Sequence, residues 1–200
     1  MNACRSNPVR VAIGTVLALS SLAILAAGSG AFSETKMKTV KMRDDCEPIS
    51  FNAAVGPGTC VGDGRTTFAE LVQELRQDQA VEAWRFNPAT FDVVEGKVLF
   101  FENLGGETHT FTKVAAFGGG FIAGLNALSG NPVPRPECAI VHPNGSLAPQ
   151  PESPANVFVE AGLTEVGPTA GSPILPAGEE SKFMCCIHPW MRAVVRVPDR

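Results

Sequence analysis

Basic charge is in short supply. The 200 residues carry 16 Lys and Arg against 20 Asp and Glu, a balance that excludes the electrostatic footprint of a nucleic-acid-binding chain. Internal repeats are absent, and no apolar run reaches the roughly 20 residues that span a bilayer. The longest run, Val11 to Ala27, follows Arg5 and Arg10 and precedes the small residues Gly28-Ser29-Gly30-Ala31. That order predicts a secretory signal over residues 1–31, with an uncleaved anchor as the alternative. No Cys ends the run, so nothing there points to a lipoprotein anchor. Removing the segment leaves 14 basic and 20 acidic residues, a net charge of about −6, suited to solubility.

Export sets the redox compartment. Outside the cytosol cysteines pair, and the chain without its leader has five. Residues 32–45 are short, Lys-rich and without periodicity, and read as a flexible leader. Cys46 and Cys60 then bracket a segment with Gly56-Pro57-Gly58 that excludes a long helix or strand. A disulfide between them closes a loop of about 15 residues, worth about 3 kcal/mol in the chain-entropy picture. A metal site there lacks neighbouring His or acid at ligand spacing. Thr67-Phe68-Ala69-Glu70 is a capping box, and Phe68, Leu71, Val72 and Leu75 trace one apolar face of a helix.

From Trp84 the period changes to two. Trp84 and Phe86 alternate with polar neighbours, Asn87-Pro88 and Glu95-Gly96 turn the chain, and Val98 to Phe101 runs on to Asn103. Residues 117–154 are rich in Gly and Pro and predict a long irregular excursion, with His142 at its surface. Short strands return at Val157-Phe158-Val159, Ser181 to Cys186 and Arg192 to Val197. Many short strands separated by turns predict an all-β, antiparallel sandwich. The expected divisions are 1–31 signal, 32–83 extension with a disulfide loop and one helix, and 84–198 sandwich domain.

The chemistry lies in Phe183-Met184-Cys185-Cys186-Ile187-His188-Pro189-Trp190-Met191, where thiolate, imidazole and thioether recur every three residues. Thr108-His109-Thr110 offers a second imidazole. Two His, one Cys and a weak axial Met are the donor set of a blue-copper electron-transfer site. Zinc accepts the Cys and both His but seldom a thioether. Cys185 and His188 as a nucleophile and base would need a third group to orient the imidazole, and no acid or amide stands near them at a suggestive spacing.

The segment Cys185 to Arg192 followed by Val194-Val195-Arg196-Val197 resembles the C-terminal ligand loop of the cupredoxins, its Cys-x-x-His-x-x-Met spacing being most like amicyanin. The aromatic-Asn-Pro turn, the Glu-Gly turn and the apolar strand ending in Asn103 ahead of His109 are similar to the cupredoxin approach to the first ligand. The resemblance covers about residues 84–198. It implies a Greek-key cupredoxin β-sandwich, one type 1 copper ion on His109, Cys185, His188 and Met191, and no enzymatic activity. It also implies one-electron relay between transient redox partner proteins, with no small-molecule substrate, while the signal segment implies a periplasmic or extracellular setting. A copper module for delivery or storage is the alternative. The long segment between His109 and Cys185, the N-terminal extension and Cys186 depart from the plain cupredoxin pattern.

His188, in the loop, is expected to be the ligand closest to solvent, and Trp190 is either part of an apolar docking patch or buried packing. With Cys185 on copper and Cys46 joined to Cys60, Cys138 and Cys186 remain. Adjacent strand residues face opposite ways, so Cys186 is expected to point away from the metal and to bond Cys138, with two separate reduced thiols as the alternative if alternation ends where the loop begins.

Overall fold

Alternation along the strands decides which faces meet. The computed structural model describes residues 37–151 and 156–199; the expected signal segment lies outside them. The first strand, β1 (Lys38–Arg43), falls where a flexible leader was expected. Val40 and Met42 are fully buried while Lys41 faces solvent, so its basic residues take the outward and flanking positions of a two-residue period. The first sheet thus includes residues ahead of the boundary expected at 84.

Two short helices follow. α1 (Pro48–Ala54) sits inside the Cys46–Cys60 disulfide, and Glu47 caps it by accepting from the amides of Ile49 and Ser50. α2 (Phe68–Asp78) starts at the predicted capping box, both halves of which form, and buries Leu71 and Leu75. Phe51 of α1 lies between Phe68 and Trp84, with centroids at 5.4 and 5.8 Å. The extension therefore carries two helices instead of one, pinned on the sandwich by aromatic packing.

The remaining strands are β2 (Arg85–Asn87), β3 (Thr90–Asp92), β4 (Val98–Asn103), β5 (His109–Val114), β6 (Ala139–Val141), β7 (Leu147–Pro149), β8 (Asn156–Val159), β9 (Thr164–Thr169), β10 (Glu180–Met184) and β11 (Arg192–Arg196). One sheet has the order β2-β1-β4-β9 and the other β3-β11-β10-β5-β8. The pairs β1·β4 and β3·β11 are parallel, so the sheets are mixed and not antiparallel throughout. Between β2 and β3 the chain leaves the first sheet for the second, which carries β3 in alongside the last strand. Phe111 of the second sheet meets Phe101 and Phe86 of the first at 4.4 and 5.0 Å, and Phe183 on its own sheet at 4.5 Å. Those rings form the centre of a two-sheet sandwich.

The excursion is more ordered than its Gly and Pro content implies. It holds α3 (Ala123–Leu128) and the hairpin β6-β7, whose turn exposes His142. β9 was not foreseen: Gly167 and Pro168 interrupt its pattern, and Pro is tolerated because β9 is an edge strand. A Cβ at Gly167 would enter the ring of Phe101, so glycine permits that strand to lie on the core.

Candidate metal centre

The sandwich brings three of the four expected ligands into contact distance at one end. β5 begins at His109, and the loop 185–191 joins β10 to β11. Backbone bonds from Cys185 N–H to Met191 O (3.0 Å) and from Met191 N–H to His188 O (2.9 Å) fold that loop into a tight cup. The Cys185 sulfur lies 3.7 Å from His188 Nδ1 and 3.9 Å from His109 Nδ1, and accepts the amide of Thr110 at 3.3 Å. The ligating atoms of His109, Cys185 and His188 all fall within 4.8 Å of one another. Met191 is buried, like the other three, and held in the same cup.

The far nitrogens of both rings face carboxylates. Asp44, just after β1, meets His109 Nε2 at 2.8 Å and is held in turn by the amides of Gly106 and Glu107. A Cβ at Gly105 would collide with the Asp44 carboxylate, so the Gly105-Gly106 turn is what lets the loop close over it. Asn103 braces the same loop, donating to Glu107 O and Val159 O and accepting from Gly105 N–H. Glu107 accepts the indole N–H of Trp84 at 2.7 Å and stands 3.4 Å from His188 Nε2, a close ion-pair approach. With both Nε2 atoms held, each ring presents Nδ1 to the thiol.

The electrostatics follow from that geometry. Burial opposes ionisation of Cys185, but two adjacent imidazoles outweigh it and hold the thiol well below 9.0. Burial likewise disfavours charge on His188, and Glu107 with Cys185 raises it to about 10. His109 is raised as Asp44 and Cys185 overcome its burial. Burial would push Asp44 up, yet His109 and two amides bring it down to about 2. The geometry thus favours the thiolate form of Cys185 and the charged form of both rings. The donor set, two Nδ1 and one thiolate with a thioether in the same cup, fits copper.

Strand alternation persists past the end of β10. Phe183 and Cys185 pack in the main core, whereas Met184 and Cys186 join Val114 and Cys138 in a second cluster. Cys186 is bonded to Cys138, as expected, and Cys185 is the free cysteine among the described residues. The excursion is fastened at a second point. Phe121 N–H bonds Cys186 O at 2.9 Å, and a Cβ on Gly120 would overlap that same carbonyl.

His188, at 2 % exposed, is the most accessible of the four ligands, as expected, but it is nearly as buried as the others, and α1, α2 and α3 line the cavity beside it. Trp190 is half-buried, its ring 5.4 Å from that of His188. Sequence reasoning also missed Asp44 and Glu107. Glu107 lies two residues before His109, which in a strand would direct both side chains the same way; Asp44 was lost with the presumed leader. The acid that seemed missing beside Cys185 and His188 is Glu107, 3.4 Å from His188.

No protein-family model and no curated protein matches the sequence. Solved structures do. A purple cupredoxin from Nitrosopumilus maritimus aligns at 12 % identity and TM-score 0.36, covering 80 % of this chain and 98 % of that one. An amicyanin variant in its reduced state gives 14 %, 0.32, 57 % and 73 %, and oxidised plastocyanin from Dryopteris crassirhizoma 15 %, 0.29, 80 % and 98 %. The chain itself shows a two-sheet sandwich with His109, Cys185, His188 and Met191 buried at one end.

Proposed function

We infer that the protein is an exported copper protein that relays single electrons through a site formed by His109, Cys185, His188 and Met191. The observation that carries this reading is the convergence of two Nδ1 atoms on one buried sulfur, with both Nε2 atoms held by carboxylates. Bound copper would supply one-electron redox chemistry, cycling between Cu(II) and Cu(I). The chain's own part is rigidity. Thr110 N–H donates to the thiolate, Asp44 and Glu107 fix the ring orientations, and the backbone bonds of Met191 keep the loop closed. Such a frame holds the donors in place whichever charge the site carries.

Burial weighs against both rivals. A delivery site needs an easily opened surface, whereas His109 and Cys185 are 0 % exposed and Met191 is 1 % exposed. A catalytic thiol needs access for its substrate; Cys185 Sγ is closed in by two imidazoles and an amide.

The test is the visible spectrum of the copper-loaded chain, followed by voltammetry. An intense thiolate charge-transfer band that vanishes in Cys185→Ser, with reversible one-electron cycling, supports relay. A colourless copper form overturns the ligand assignment, and copper that passes to an apo acceptor without cycling supports delivery.

A further inference from the structure

Behind His188 lies a cavity that electron relay does not use. It occupies about 350 Å³ between the helical extension and the excursion, within the size range of small-molecule sites. Phe51, Phe68 and Leu71 line it from α1 and α2; Phe121, Leu125 and Leu128 line it from the excursion. Its polar lining includes Glu107 and His188. The two walls belong to the two insertions that depart from a plain sandwich.

Glu107 is the informative residue. Its side chain is 9 % exposed, and Oε2 is engaged by Trp84 Nε1 and approached by His188 Nε2. No described residue donates a hydrogen bond to Oε1, which stays within reach of water while the carboxylate borders a mostly apolar space. A carboxylate oxygen in such surroundings favours a ligand that brings one donor and a large apolar body. A neutral hydroxyl fits better than an ammonium, which would have to shed its water to enter among phenylalanine and leucine side chains.

We propose that this cavity is a binding site for a phenol-class ligand, its ring between α2 and α3 and its hydroxyl donating to Glu107 Oε1. The site is built of this chain's own side chains and does not depend on the metal. Its failure would therefore leave the copper reading standing, and the reverse also holds.

Calorimetric titration of the metal-free full chain with 4-ethylphenol and, separately, with ethylbenzene tests it. The expected result is saturable one-to-one binding of the phenol and at least tenfold weaker binding of the hydrocarbon, which would displace water from Oε1 without replacing its hydrogen bond. Gly124 borders the cavity, and a Cβ there meets nothing within 4 Å, so Gly124→Phe brings a ring to the cavity rim without a clash at its Cβ. It should weaken the phenol at least tenfold while thermal unfolding stays unchanged; Leu128→Trp, filling from the same helix, is the second variant. Absence of saturation, equal affinity for the two ligands, or unchanged affinity in folded Gly124→Phe and Leu128→Trp would each overturn the proposal.

Discussion

Asp44 and His109 are 65 positions apart in the chain and meet at 2.8 Å, carboxylate to ring nitrogen, with the Asp44 side chain 1 % exposed. An anion so placed raises the basicity of the ring and favours the more highly charged metal state. Asp44→Asn should therefore raise the reduction potential of the copper protein by about 60 mV or more, a tenfold change in the Cu(II)/Cu(I) preference. Protein-film voltammetry measures it; an unchanged or lower potential contradicts the role.

The same residue sets part of the acid stability. Asp44 falls from 3.8 to about 2 on folding, a depressed carboxylate. Its contribution, roughly 2 kcal/mol, is present above pH 3.8 and lost as pH falls towards 2. The stability gap between the parent chain and Asp44→Asn should thus be widest near pH ~6 and close at the acid end. Urea unfolding at several pH values reads it, and a gap independent of pH would remove Asp44 from the account.

Cys185 should be a thiolate in the metal-free protein at neutral pH, because its thiol is held well below 9.0. The ultraviolet thiolate band should be present at pH ~7, disappear in Cys185→Ser, and weaken in His188→Ala, which removes one of the two stabilising rings. A band that grows in only near pH ~9 would mean that the imidazoles do not stabilise the anion.

Gly120→Ala should destabilise the fold by about 2 kcal/mol, since its Cβ would overlap the carbonyl of Cys186 and relief requires backbone shifts. Gly124→Ala, facing open space, should be nearly neutral. Equal denaturation midpoints for the two variants would show that the excursion does not press on the ligand loop.

The sequence disclosed the elements whose chemistry is local and hid those made by distance. The capping box of α2 and the alternation around Phe86 and Phe183 needed only neighbours. The Cys138–Cys186 bond needed one further step, the opposite facing of consecutive strand residues. β1 was hidden because Lys38, Lys41 and Arg43 dominate its composition, although Val40 and Met42 carry the buried period. With β1 unseen, Asp44 had no place in the fold. The burial of His188 was equally out of reach, since α1, α2 and α3 come from segments on both sides of His109 and meet only in space.

The opposed facing of Cys185 and Cys186 has a consequence for how the protein is made. An oxidising catalyst meets two vicinal thiols and must spare one while joining the other to Cys138, 48 positions away. Chemistry alone offers it little to choose between them in the unfolded chain; the alternation carried past the end of β10 does the sorting by turning one sulfur inward and the other out. Sheet pairing ahead of oxidation therefore directs Cys186 and not Cys185 to Cys138. Oxidation of the urea-unfolded chain should yield a mixture of Cys138–Cys185 and Cys138–Cys186 isomers, resolvable by peptide mapping, where the folded chain yields one.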